Sequence, residues 1–152
     1  LGITRKDAKN YIETYFERYP GIKTYMENIV REARDKGFVE TMSHRRRKIP
    51  DINARNFNVR GFAERTAINS PIQGSAADIL KIAMINLDKA LSAHDFKSKL
   101  LLQVHDELVL EVDQDYAAEL APQISEVMQS VMQLSVPLLV EVGQGHNWDQ
   151  AH

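Results

Sequence analysis

Three side chains with chemistry to offer stand side by side in Leu100–Val112, LLLQVHDELVLEV: His105, Asp106 and Glu107. An imidazole and two carboxylates can exchange protons or hold a divalent cation. Apolar runs frame them, Leu100–Val104 before and Leu108–Val112 after, and these read as the two strands of a hairpin turning at His105-Asp106. Acidic groups buried without partners are costly, so the tip is expected to face solvent, a metal or a substrate. A solvated polar turn satisfies the same pattern. Neighbouring strand side chains point to opposite faces, so Asp106 and Glu107 can share an ion only if the turn twists them together. A two-metal site for phosphoryl transfer bridges ions about 3.5–4 Å apart and needs at least one further carboxylate. Nothing in the arrangement of Asp51, Asp78 or Asp149 singles one of them out.

Two polar groups earlier in the chain suit a polyanion. Arg65, Asn69 and Gln73 are spaced i, i+4, i+8, so on continuous helix they form one row of a cation and two amides, able to reach groove acceptors and phosphates. His44-Arg45-Arg46-Arg47-Lys48, closed by Pro50-Asp51, reads as a basic loop suited to a phosphate backbone. A solvated loop is the plainer account of such a run.

Other chemistries find little support. No Gly-x-Ser-x-Gly elbow occurs; Gly74-Ser75 lacks the strand that should precede it. His-Glu-x-x-His and a Walker loop are absent, and Gly143-Gln144-Gly145 opens no helix pattern that would present phosphate-binding amides. With no Cys there are no disulfides and no thiolate metal sites, which fits the cytosol. No stretch reaches the roughly 18 apolar residues of a membrane span, and no signal peptide opens the chain.

The 152 residues suit one ordinary domain or a piece of a larger one, and 43% hydrophobic with 26% charged residues is a globular balance. Because the chain opens on Leu1 and enters an amphipathic pattern at once, a segment of a longer protein is expected. The net charge of −2 conceals a division: residues 1–93 carry 17 Lys and Arg against 11 Asp and Glu, residues 94–152 carry 2 against 10. A basic half can follow a polyanion and an acidic half can hold divalent cations, although solvated surface charge gives the same totals.

Several elements must position these groups. Thr4 to Asp7 is a capping box, followed by Ala8, Tyr11, Ile12, Tyr15 and Phe16 at helical spacing, and Pro20-Gly21 ends that helix. The stripe Tyr11, Tyr15, Tyr19 can stack on bases but is expected to be core. A second helix from near Ile22 to Gly37 presents Tyr25, Met26, Ile29, Val30 and Ala33, and Phe38–Thr41 is a short strand. A looser helix over 54–69 has Val59, Phe62, Ala63 and Thr66 on one face and Arg60 pointing away. Ser70-Pro71 should interrupt it before the strongest helix, 71–91, whose apolar face is Ile72, Ala76, Ile79, Leu80, Ala83, Met84, Leu87 and Leu91. A polar connection over 94–97 leads into the hairpin. Asp113–Asp115 then caps a helix through Leu120, Ile124, Val127, Met128, Val131 and Met132, with a kink or start near Pro122. Pro137–Val142 reads as a last strand beside the hairpin.

Taken together, Gln73-Gly74-Ser75-Ala76-Ala77-Asp78 and Gln103-Val104-His105-Asp106-Glu107-Leu108-Val109 closely resemble the C-terminal part of bacterial family A DNA polymerases. The likeness extends to YFERYPGI at 15–22, the RRR run ending in PDI at 50–52, AERTAINSPIQGSAADI at 63–79, and PLLVEVGQG with NWDQAH at the end. It implies an α+β fold in which helices pack on a small antiparallel sheet: part of the palm of a right-hand polymerase, with about 1–36 the end of the fingers and about 37–152 palm. It also implies that Asp106 is a catalytic Mg2+ ligand, Glu107 an accessory acid near the metals and His105 a neighbour of the primer terminus. Arg65, Asn69 and Gln73 match positions that contact template, primer or nascent pair, and Arg45, Arg46 and Arg47 a backbone contact. Where some members have two adjacent Arg before the row, this chain has Val59-Arg60, leaving Arg60 alone for that role. The family's other metal-binding Asp and its triphosphate-binding helix are expected upstream of Leu1. The implied whole is a monomeric nucleotidyltransferase of the bacterial cytoplasm and nucleoid. It has primer–template DNA and deoxynucleoside triphosphates as partners and two Mg2+ ions as cofactors, serves replication and repair, and has no membrane association. The 152 residues alone are then expected to be inactive. A non-catalytic DNA-binding module is the alternative.

Overall fold

The computed structural model describes residues 2–93 and 97–151 and divides the chain into two compact units, Leu1–Ser75 and Ala76–His152. The first unit opens with α1 (Arg5–Arg18), whose capping box forms as the sequence requires: Thr4 Oγ1 accepts from the Asp7 amide at 3.2 Å, and the Asp7 carboxylate accepts from the Thr4 amide. Pro20 occupies the first turn of α2 (Pro20–Lys36), where its missing N–H costs nothing. Gly37 ends α2 in the left-handed region at φ 77°, a conformation glycine adopts without penalty, and donates its amide to the Ala33 carbonyl. A short antiparallel pair follows, β1 (Phe38–Glu40) and β2 (Arg46–Lys48), then a 3₁₀ turn at Pro50–Asn53. Ala33, Val39, Ile49, Ile52, Ala63 and Ala67 make the core of this unit, with Ile29 against it.

Four expectations need correction in this unit. The Tyr11, Tyr15, Tyr19 stripe is not core: α1 buries no residue, Tyr11 is 68% exposed, and Tyr15 meets the rings of Phe16 and Tyr19. Arg46, Arg47 and Lys48 lie on a strand, not in a loop. No break occurs at Ser70-Pro71, since α3 runs from Phe57 to Ala93 with Pro71 inside it. Finally, α3 buries Ala63 and Ala67, while Val59 and Phe62 stay exposed. Asn56 starts α3 by accepting from the amides of Asn58 and Val59 at its Oδ1.

In the second unit the expected apolar face of α3 is rotated. Ala83, Leu87 and Leu91 are buried as expected, but Ile72, just before this unit, and Ala76 are exposed, and Asp78 is buried. Leu87 and Leu91 join Leu120 and Ile124 of α4 (Ala117–Gln129) in the core, against which Leu108, Leu110 and Val112 pack. These last three belong to β4 (Glu107–Val112), paired antiparallel with β3 (Ser98–Val104). The hairpin thus forms where the apolar runs placed it. Lys97 is described but 94–96, most of the expected polar connection, lie outside the described residues.

Pro122 lies inside α4, which starts at Ala117 after a turn in which Tyr116 donates to the Asp113 carbonyl. Among the described residues the expected last strand does not form, and the antiparallel pairing is confined to two two-stranded sheets. Pro137 has no amide to donate, and the Val140 carbonyl is taken by Ser125 Oγ on α4 at 3.2 Å, not by a ladder partner. A short α5 (Trp148–Ala151) closes the described chain.

Candidate functional site

Each unit carries one cluster of the expected site residues. In the first, Arg65, Asn69 and Gln73 are all exposed on α3, on the side away from buried Ala63, Ala67 and Ser70. Because α3 is continuous through Pro71, the i, i+4, i+8 spacing does produce one row. Phe62 and Ile72 flank it, 67% and 61% exposed. An amide row edged by apolar surface is able to lie along a nucleic-acid groove, with donors for base and sugar acceptors.

Strand alternation sorts the basic run. Val39 pairs with Arg47 and Glu40 with Arg46, and the Thr41 amide donates to the Arg45 carbonyl at 3.0 Å. Directly paired residues share a face, so Arg45 and Arg47 lie with buried Val39 and Thr41, while Arg46 and Lys48 lie on the other side with Phe38 and Glu40. Arg46 is engaged there: its Nε donates to Glu40 Oε1 at 2.8 Å, and its guanidinium sits 4.6 Å from the Phe38 ring centroid. That hydrogen bond, with the positive charge behind it, holds the Glu40 carboxyl below its ordinary pKa. Arg45 donates from Nη2 to the Gly74 carbonyl at 3.1 Å. Arg45 and Arg47 line a small pocket with Thr41, Ser70, Gln73 and Gly74, so part of the basic run meets part of the amide row. Arg60, expected to point away, turns back and donates to the Ala54 carbonyl at 3.0 Å, bracing the entrance to α3.

In the sequence, the small residues from Gly74 to Ala77 permit close approach of another backbone or a substrate; sequence reasoning passed over the hydroxyls at this junction. Thr41, Ser70 and Ser75 are buried hydroxyls. Ser75 Oγ accepts from the Met42 amide at 2.8 Å and donates to the Pro71 carbonyl, and Ser70 Oγ donates to the Thr66 carbonyl. From α2, the Tyr25 hydroxyl reaches the Ile68 carbonyl at 3.0 Å. A Cβ on Gly74 would stand 2.6 Å from Thr41 Cγ2, so the close approach of the β1–β2 hairpin to α3 requires glycine there. The cluster Gly-Ser beside a helix proline was the available signal.

In the second unit, His105 and Asp106 form the two-residue turn of the β3–β4 hairpin, with Val104 opposite Glu107. His105 has φ 52°, the left-handed backbone that tight hairpins need at the first central position. Gln103 Nε2 donates to the His105 carbonyl and braces the turn. His105 and Asp106 are exposed and Glu107 is half-buried, so the tip is open as expected. The ladder shifts by one residue between Leu100 and Leu102, a bulge that adds local twist. In kind, the donor set fits a hard divalent cation, which takes carboxylate oxygens. In number it is half a site: among the described residues, no three His, Cys, Asp or Glu side chains come together to hold an ion.

Residues 1–150 match the model of DNA polymerase family A, and the chain belongs to that family. Its relatives carry the name DNA polymerase I. It is 78% identical over 151 residues to DNA polymerase I of Lactococcus lactis subsp. lactis and 51% identical to that of Bacillus subtilis, in each case over 99% of this chain and 17% of the relative. The chain therefore spans about a sixth of the length of these proteins. Among solved structures it resembles the POL domain of Pol1 from M. smegmatis in complex with DNA primer-template and dNTP, with a TM-score of 0.94 and 46% identity over 98% of this chain and 26% of that one. No helix among the described residues is long and apolar enough to cross a membrane.

Proposed function

We propose that this chain is the C-terminal end of the fingers (about 1–36) and a palm portion (about 37–152) of a DNA polymerase whose intact form extends a primer with deoxynucleoside triphosphates. The observation that carries the proposal is the open His105–Asp106 turn, with Glu107 at its base, in a chain of this family. Asp106 is the principal Mg2+ ligand of the pair, Glu107 stands by as an accessory acid, and His105 lies where the primer terminus would be. Two bound Mg2+ ions would stabilise charge on the attacking and leaving oxygens of the phosphoryl transfer. The chain's own carboxylates hold negative charge at the tip, and the Gln103 bond fixes the turn that presents them. The remaining ligands are assigned to the rest of the full-length enzyme, so the 152 residues alone should extend no primer.

Arg65, Asn69 and Gln73 contact template, primer and the nascent pair. Arg45 and Arg47 supply backbone contacts beside Gln73. Arg46 and Arg60, matched to the same surface, are tied to Glu40 and to the Ala54 carbonyl and add mainly positive potential. The complex of the M. smegmatis relative with primer-template and dNTP supports these partners. The enzyme acts as a monomer on chromosomal DNA in the bacterial cytoplasm, in replication and repair.

Asp106→Ala in the full-length enzyme should lower the rate of primer extension by several orders of magnitude while leaving primer–template affinity within a few-fold. Undiminished extension would instead favour a DNA-binding module without chemistry, the reading that the basic first unit alone would support.

A further inference from the structure

A proline inside a helix removes one backbone hydrogen bond and crowds the carbonyl four residues back. Around Pro71, three side-chain hydroxyls bond to carbonyls of the flanking turns. Ser70 Oγ donates to the Thr66 carbonyl, Ser75 Oγ to the Pro71 carbonyl, and Tyr25, from a different helix, to the Ile68 carbonyl. The Tyr25 ring is partly buried, and burial holds its hydroxyl above the ordinary 10.0, so it stays a protonated donor at neutral pH. On the far side of Pro71, the β1–β2 hairpin is fastened by the Met42 amide to Ser75 and by Arg45 to Gly74. The helix is therefore tied to α2 just before the proline and to the hairpin just after it.

The amide row crosses the same point: Arg65 and Asn69 precede Pro71, and Gln73 follows it. Helices bend most readily where a proline interrupts the ladder, and a small change of bend there moves Gln73 relative to Asn69 and Arg65. We infer that Tyr25 is a positioning residue: with Ser70 and Ser75 it splints α3 across Pro71 and so sets the register in which Arg65, Asn69 and Gln73 meet the primer–template. The inference rests on the proposed role of that row and adds to it a residue 43 positions before Ile68, on a different helix.

The test uses the full-length polymerase and compares kcat/KM for extending a matched and a mismatched primer terminus, at a temperature well below the unfolding midpoint. Tyr25→Phe keeps the ring and loses the hydroxyl, and should change the matched-to-mismatched ratio by about fivefold, in line with one lost hydrogen bond. The same variant should add less than its own separate effect when combined with Gln73→Ala, because both act on the same row. Ser70→Ala, read in the same assay, should shift the ratio in the same direction. A lowered midpoint with an unchanged ratio for both Tyr25→Phe and Ser70→Ala, while Gln73→Ala moves it, would overturn the splint and leave the row standing. If Gln73→Ala also leaves the ratio unchanged, the row itself fails and the splint with it.

Discussion

Gln73 stands on a helix tied to its neighbours on both sides, by Tyr25 of α2 and by Met42 and Arg45 of the β1–β2 hairpin. Asp106 stands at the end of a two-stranded ribbon. One strand of that ribbon, β4, packs on the core through Leu108, Leu110 and Val112, whereas β3 leaves Leu101 and Leu102 about half exposed. Two strands alone are marginal in water. The two regions are held differently: the amide row by hydrogen bonds on either side of one proline, the acidic tip by its turn and by one apolar face.

The loss of chemistry expected for Asp106→Ala is the largest effect. Next comes the stability contrast. Gly74→Ala forces a methyl into Thr41 and should destabilise the full-length enzyme by about 1–3 kcal/mol in denaturant unfolding, whereas Gln103→Ala removes one exposed bond and should cost less than about 1 kcal/mol. Equal losses would erase the distinction between a tied helix and a free ribbon.

A smaller effect separates the two faces of β2. Arg47→Ala should weaken primer–template binding and reduce the slope of log affinity against log salt by about 1. Arg46→Ala, whose guanidinium already serves Glu40 and Phe38, should change that slope less. Identical slopes for the two variants would mean that alternation does not sort the basic run.

The smallest effect is pH-dependent and confined to the first unit. Arg46 holds Glu40 below its ordinary 4.5, so the stability this pair contributes is present above that pH and lost as pH falls through the lowered folded value. The stability difference between the parent and Glu40→Gln should therefore shrink as pH falls from 4.5 through the lowered folded value. A constant difference across that range would remove the pair from the account.

Much of this was legible in the chain itself wherever a local signal had one solution. Thr4 with Asp7, Gly37 after the last helical turn, and two apolar runs around His105-Asp106 each specify backbone geometry without help from elsewhere. The failures came where another element decides the outcome. Ser70-Pro71 reads as a break unless hydroxyls are near enough to feed the surrounding carbonyls, and one of them, Tyr25, comes from another helix. Pro137–Val142 has the composition of a strand, yet Ser125 takes a carbonyl that a ladder would need. The tyrosines of α1 have core spacing but no element over them among the described residues. The tip and the row were both named from sequence; the buried hydroxyls beside the row were not, because a serine inside a helix pattern gives no sign of which groups its hydroxyl will reach.

The bulge at Leu101 bears on the tip. β3 contributes seven residues to a pairing in which β4 contributes six, and the surplus leucine falls between Leu100 and Leu102. A count that is off by one exchanges inside for outside along everything beyond it, so Leu102 and Val104 take the orientation that an even ladder would have given to their neighbours. The facing of the strand that leads to Asp106 is accordingly set five residues before it, in a leucine that reacts with nothing.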